Sequence, residues 1–242
     1  MTESWFKTGK EGWSQAKKED EAAKQRRAGA DPWRFRLEAD TSAKMTFIDT
    51  PTFFFHEHSL KVGGRWTTET CINEFDTCPL CESGLNVSYV VAGTCINHSK
   101  YVTKKGQELK NQKQLFVGKG RARQRLQKQI ERRDGDLSCC VYEMSRGTGQ
   151  TECATGEDFE YIKRLQKKQL RAFVPEGQDA EEWLAPYDYA KIFKPKTAEQ
   201  LAELVGAAPP VGGENDDTGG DKDTDGVVDP EDGKELSIED LL

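Results

Sequence analysis

The stretch His58-Ser-Leu-Lys-Val-Gly-Gly-Arg-Trp-Thr-Thr-Glu-Thr-Cys71, followed by Cys78-Pro79-Leu80-Cys81, decides how the chain is read. Two cysteines two residues apart can grip one ion while the backbone between them turns, and Zn2+ closes a tetrahedron with four nitrogen or sulfur donors. Cys71 and a histidine supply the other two donors, and Gly63-Gly64 provides the turn that folds them back. Three cysteines and one histidine leave no position open for water or substrate, so the ion is expected to be structural. His58 is the expected ligand, with His56 as its rival across Glu57. The alternative is a set of buried reduced thiols. Cys95 and His98 also have ligand-like spacing but lack a second pair.

Composition bounds what surrounds this site. The 242 residues are 35% hydrophobic and 32% charged, which fits a modest core with solvated extensions. The expected organisation is an arm over residues 1–30, a core over 31–206 with the zinc subdomain at about 56–85, and a tail over 207–242. No run of about 18 apolar residues occurs and Met1–Lys10 has no signal-peptide core, so a soluble, cytoplasmic protein with no membrane partner is expected. Seven cysteines, three of them in a metal pattern, suit a reducing compartment better than a disulfide framework.

The net charge of −7 hides a segregation. Residues 207–242 carry twelve acidic and two basic side chains, whereas residues 100–133 carry twelve Lys or Arg against Glu108 and Glu131. An acidic chain with so basic a segment is arranged for a polyanion at one place. The alternative is a solvated helix face, the usual fate of a charge run. Tyr101 and Phe116 inside the run favour the polyanion.

Short β-like runs recur along the core: Trp33–Leu37, Met45–Ile48, Thr52–Phe55, Val87–Thr94, Leu115–Val117, Ser138–Met144 and Asp158–Ile162. One helix interrupts them over about Gly120–Arg133, where Ala122, Leu126 and Ile130 form a narrow apolar stripe and arginines fill the remaining face. Short strands with one helical interruption predict a mainly β fold, a Greek-key barrel of the OB type, with the zinc subdomain inserted between early strands. A closing helix pair is expected over Asp188–Val205, with Thr197 and Gln200 as a capping box. The tail falls in the disordered class up to the apolar-acidic Leu236–Leu242, which reads as a docking peptide.

Single strands expose base faces on which aromatic side chains stack, while Lys and Arg follow the phosphates. The expected phosphate contacts are Lys104, Lys105, Lys110, Lys113, Lys119, Arg121 and Arg123, with Arg146 in a Gly-rich stretch. Tyr101 and Phe116 are candidate stacking residues, and Phe116 reads equally as core, as Phe53 and Phe55 do. Trp66, after a Gly-Gly-Arg turn, is expected to be exposed.

The run His58-x5-Gly64-Arg65-Trp66-x2-Glu69-Thr70-Cys71, then Asp76-Thr77-Cys78-Pro79-Leu80-Cys81, resembles the zinc region of the single-stranded DNA-binding, helix-destabilising proteins of T-even-type tailed phages. Leu115-Phe116-Val117-Gly118-Lys119 before a basic helix and the ending Glu239-Asp240-Leu241-Leu242 are similar as well. The resemblance covers about residues 47–130 and departs in a shorter gap between Cys71 and Cys78. It implies an OB-fold core with a zinc subdomain, an N-terminal arm for cooperative self-association along DNA, and an acidic tail that recruits replication and recombination proteins. It also implies Trp66, Phe75 and Tyr89 as DNA-lining aromatics. The same tail is expected to lie over the basic groove when DNA is absent.

Catalysis is not expected. Zinc deaminases pair H-x-E with P-C-x-x-C, whereas this chain has His56-Glu57-His58 and Cys78-Pro79-Leu80-Cys81. A nuclease needs clustered, rigidly held carboxylates. A single-stranded RNA-binding regulator or a transcription-associated zinc module stays open, because stacking platforms serve RNA as well as DNA.

Overall fold

In the computed structural model, residues 32–102, 108–148 and 154–207 are described. The expected arm, the tail beyond Ala207, and Lys104 and Lys105 lie outside the described residues. The chain divides into a unit ending at Trp33 and a unit beginning at Arg34, and all the named elements belong to the second.

The fold is mainly β, with some helices. In chain order the elements are β1 (Thr41–Phe47), β2 (Phe53–Val62), β3 (Arg65–Thr70), α1 (Pro79–Glu82), β4 (Val87–Asn97), β5 (Tyr101–Val102), β6 (Glu108–Leu109), β7 (Gln112–Lys119), α2 (Gly120–Glu131), β8 (Cys140–Arg146) and β9 (Asp158–Arg164). A 3-10 helix (Lys167–Phe173), α3 (Ala180–Trp183), α4 (Tyr189–Ile192) and α5 (Ala198–Ala207) follow. The main sheet is antiparallel in the order β3-β2-β4-β1-β8-β9, with β7 also on β4. β5 and β6 form a separate small hairpin.

β4 is the hub. Its first half pairs with β2 up to Ala92, its last residues pair with β1 from Cys95, and β7 runs along the other edge from Val90 to Asn97. Gly93 sits where β4 changes partners, and a Cβ there would come within 2.5 Å of the Pro51 ring, so no larger residue fits without displacing Pro51. At the outer edge of β7, Phe35 donates its N–H to Leu115 O at 2.8 Å and Leu37 donates to Ala154 O at 2.6 Å. Of the expected strand Trp33–Leu37, residues 34–37 therefore form an extended edge segment with a single bridge, Arg34 to Leu115.

Alternate residues of a strand face opposite ways, and residues paired across a ladder share a face. On the inner face, Phe35, Met45, Phe47, Phe116, Tyr142 and Leu126 are enclosed together. Phe47 meets Phe116 edge-on at 5.3 Å and Tyr142 at 5.9 Å. Each such side chain contributes about 1.5–3 kcal/mol by leaving water. α2 closes this core with Ala122 and Leu126, the stripe read in the sequence, and Ile130 packs against it. On the outer face, Phe53, Phe55, Val90, Ala92, Leu115 and Val117 are covered by Tyr189 and Phe193 from the C-terminal segment. The expected helix pair is α4 and α5. Gln200 donates its N–H to Thr197 Oγ1 and Thr197 donates its N–H to Gln200 Oε1, which closes the capping box.

His98 is 6% exposed, with Nδ1 at 2.8 Å from Asn111 Oδ1 and Nε2 at 2.7 Å from Thr46 Oγ1. An acceptor on one nitrogen and a hydroxyl on the other suit the neutral ring, and burial lowers its pKa from 6.5 to about 4. Below pH 6.5 the unfolded chain takes up a proton that the folded chain refuses, so this stability is present above pH 6.5 and lost as pH falls toward 4. The loss amounts to about 3 kcal/mol. Urea melts between pH 7 and 4 are expected to show a steeper decline for the wild type than for His98→Gln; parallel declines would contradict the assignment.

Candidate metal centre and aromatic surface

The metal donors come together because two tight turns bring them there. Gly63 (φ 55°) and Gly64 (φ 82°) occupy the two-residue loop between β2 and β3, where positive φ at both positions matches the twist of the hairpin. β3 thus runs back along β2, and Cys71 N–H donates to His56 O at 2.8 Å. The chain then turns into α1, where Cys78 is the N-cap, Pro79 is the first helical residue and Cys81 lies one turn on. The Nε2 of His58 and the sulfurs of Cys71, Cys78 and Cys81 belong to a set of donors all within 4.8 Å of one another.

The donor spacing fits a tetrahedron. Zinc-length bonds of about 2.3 Å to sulfur and 2.0–2.1 Å to nitrogen give edges of about 3.8 Å between two sulfurs and 3.6 Å between sulfur and nitrogen. The observed edges are 3.6 Å for Cys71–Cys81, 3.6 Å for Cys78–His58 and 3.4 Å for Cys81–His58. His58 Nδ1 lies 3.1 Å from the carbonyl of Asn86, which fixes the tautomer and leaves Nε2 for the ion. Burial lowers the His58 pKa and so favours the neutral ring that a metal needs. Burial also works to raise the Cys78 thiol, but hydrogen bonds from the backbone at Ile72, Cys81 and Leu80 and from Cys71 outweigh it. Cys81 is pushed up to about 12 by burial and by the two neighbouring sulfurs. A divalent cation would relieve that crowding of sulfurs by taking them as thiolates. His56, the rival ligand, turns instead to Glu74 at 3.0 Å.

A small core of its own holds this module on the hairpin. Leu60, Ile72, Leu80 and Leu201 are enclosed with Cys71 and Cys78, and Leu201 comes from α5. The donor cluster therefore joins residues 58–81 to the end of the described chain. Leu201→Ala is expected to cost about 2–5 kcal/mol through the cavity it leaves. It is also expected to speed metal transfer to a chromogenic chelator, and an unchanged transfer rate would separate α5 from the site.

The same face of β2 that carries His58 carries His56 and Phe54. Across the ladder, His56 pairs with Tyr89 and Phe54 with Val91. The Tyr89 ring stacks on Phe54 at 5.7 Å and 19°, and lies 4.8 Å from the His56 ring. The Arg123 guanidinium, from the first turn of α2, stands 5.0 Å over Tyr89. Phe54 and Tyr89 are 48% and 42% exposed, so this row of rings meets solvent. It lies along the inner face of the sheet, just past the end of the core. Phe75, 70% exposed, is next to Glu74, whose carboxylate holds His56. No family model matches the chain, and no curated protein matches it in sequence.

Of the expected contacts, Tyr89 and Arg123 are brought together, with Phe75 on the adjoining loop. Trp66 is 70% exposed as expected, but it pairs with Lys61, an odd number of residues from His56, so it stands on the opposite face of the ribbon. Tyr101 is half exposed on β5, apart from the row. Phe116 is fully enclosed between Phe47 and Phe159, and the reading of it as a stacking residue is corrected to core. The Lys113 ammonium donates to Ala185 O at 2.7 Å and sits 4.5 Å over Tyr187, tying the C-terminal segment to β7. Arg146 donates to Leu37 O at 2.8 Å, a structural clasp. Arg121 faces Glu157 at 4.0 Å. Lys119 caps the start of α2, and Lys110 precedes β7. Phe54 is a further member of the row, beyond the residues expected from the sequence. Its signal was the run Phe53-Phe54-Phe55, in which strand alternation must turn the middle ring away from the other two.

Proposed function

We propose that this protein binds single-stranded DNA without reading its sequence, with a structural zinc ion holding the binding surface in shape. The observation that carries the reading is the exposed row Phe54–Tyr89–His56, with Arg123 over it and the four metal donors at the end of the same strand face. Rings of this kind offer faces to unstacked bases, and a neighbouring guanidinium serves the phosphate between them. Three thiolates and one imidazole are the donor set that zinc favours. The hub strand β4 and the edge segment Phe35–Leu37 support an OB-type barrel.

The resemblance to the T-even-type phage helix-destabilising proteins supports a role in replication, recombination and repair of DNA in a bacterial cytoplasm. On that reading residues 1–30 mediate self-association along the strand and the acidic tail recruits replication and recombination proteins. The protein is not an enzyme on this account.

Quenching of intrinsic emission by a thymidine homopolymer at several salt concentrations tests the proposal. Saturable quenching is expected, with log affinity falling linearly against log salt. Equal or tighter binding of a matched RNA strand would shift the reading to an RNA-binding regulator, and tighter binding of duplex would remove it.

A further inference from the structure

A concave feature lies at the root of the β5–β6 hairpin. This open cavity has a volume of about 240 Å³ and is lined by Ser42, Ala43, Lys44, His98, Ser99, Lys110 and Glu143. Ser99 and Lys110 are the residues at the two stems of the hairpin. Lys44 pairs with Glu143 across β1 and β8, and both stand on the outer face, since Ala43, Met45 and Phe47 fill the core. Tyr89 belongs to the inner face of β4 and His98 lies nine residues further along, about 30 Å at 3.3 Å per residue. The cavity and the aromatic row are therefore separated in both face and position.

The chemistry of the lining is specific. Both ring nitrogens of His98 are occupied by Asn111 and Thr46, so His98 forms an uncharged wall. The Ser42 hydroxyl donates to Glu143 at 2.9 Å. Among the described residues neither the Lys44 nor the Lys110 ammonium forms an ion pair. Both nonetheless act on His98, whose proton affinity burial lowers first and these two charges lower further. Glu108, on the hairpin itself, is held by Lys100 at 3.0 Å. Among the described residues that line the cavity, two ammoniums and one carboxylate leave a net single positive charge, with the Ser99 hydroxyl as a neutral donor.

We propose that this cavity holds one phosphodiester group of a polynucleotide, a contact on the face of the sheet opposite the aromatic row. A single positive charge matches the single negative charge of a backbone diester, whereas a dianionic monoester would face Glu143 uncompensated. Two flexible ammoniums suit a phosphate as point charges. The identity of the ligand as nucleic acid rests on the function proposed above; the anion chemistry of the cavity does not.

Titration of the metal-loaded full chain with a dinucleoside monophosphate, followed by NMR at the Ser99 amide and the His98 ring, tests this. Saturable shifts are expected, with inorganic phosphate at least fivefold weaker. The Lys44→Gln/Lys110→Gln variant is expected to lose them while the Tyr89 ring responds to a longer strand as before. In that variant the slope of log affinity against log salt is expected to fall by about 0.7 for the one phosphate lost. No shift at Ser99 and His98, shifts that persist in the double variant, or an equal response to inorganic phosphate would overturn the inference. Strand binding at Tyr89 without shifts at His98 would leave the proposed function standing and remove the cavity; shifts at His98 with no strand binding would do the reverse.

Discussion

Stripping the metal with a strong chelator, or replacing Cys78 with serine, is expected to release the module around α1 and α5 while the inner core stays folded. Structural zinc sites in finger peptides are worth about 10–16 kcal/mol of apparent binding energy, which becomes folding energy because no preformed site survives without the ion. Here the module core is small, essentially Leu60, Ile72, Leu80 and Leu201 around two cysteines. The inner core cluster, with Phe35, Met45, Phe47 and Tyr142, contains none of the four donors. Amide exchange is therefore expected to accelerate by orders of magnitude at Leu80 and Leu201 and to stay within a fewfold at Met45 and Tyr142. The loop that carries Glu74 loosens at the same time, His56 loses its partner, and affinity for a single strand falls at least tenfold. Uniform protection with and without metal would show that the donors are buried thiols and nothing more.

Phe54→Ala and Tyr89→Ala are each expected to weaken single-strand binding by about 1–3 kcal/mol, roughly 5- to 150-fold, with the fold intact. Both rings are about half exposed, so their loss leaves no internal cavity. They stack on each other, so the double variant is expected to lose less than the two single losses combined. Trp66→Ala, on the other face of the ribbon, is expected to change affinity by less than about twofold. Fluorescence titration of the three variants at one salt concentration separates these outcomes. A larger loss at Trp66 than at Tyr89 would move the binding surface to the opposite face.

Much of this arrangement could be read from residue order. Metal spacing needs only ligand chemistry and two glycines, and His58, Cys71, Cys78 and Cys81 do converge. The stripe Ala122, Leu126 and Ile130 identified α2, because helical periodicity is local. What sequence could not supply was the pairing of distant strands. Phe116 and Phe54 are both phenylalanines in β-like runs, and only the partners of β7 and β2 decide that one is enclosed and the other exposed. Lys113 looked like any other member of a basic run until Ala185 and Tyr187, some seventy residues later, folded over it. β3 was missed because Arg65–Thr70 is polar and rich in threonine; it forms where the Gly63-Gly64 turn lays it beside β2.

Photochemical cross-linking of a thymidine oligonucleotide to the zinc-loaded protein, with the adducts mapped by mass spectrometry, tests the central claim most directly. Adducts are expected on the peptides carrying Phe54 and Tyr89, suppressed when the oligonucleotide is first paired into duplex. Adducts confined to the Trp66 face, or equally abundant with duplex, would contradict the account.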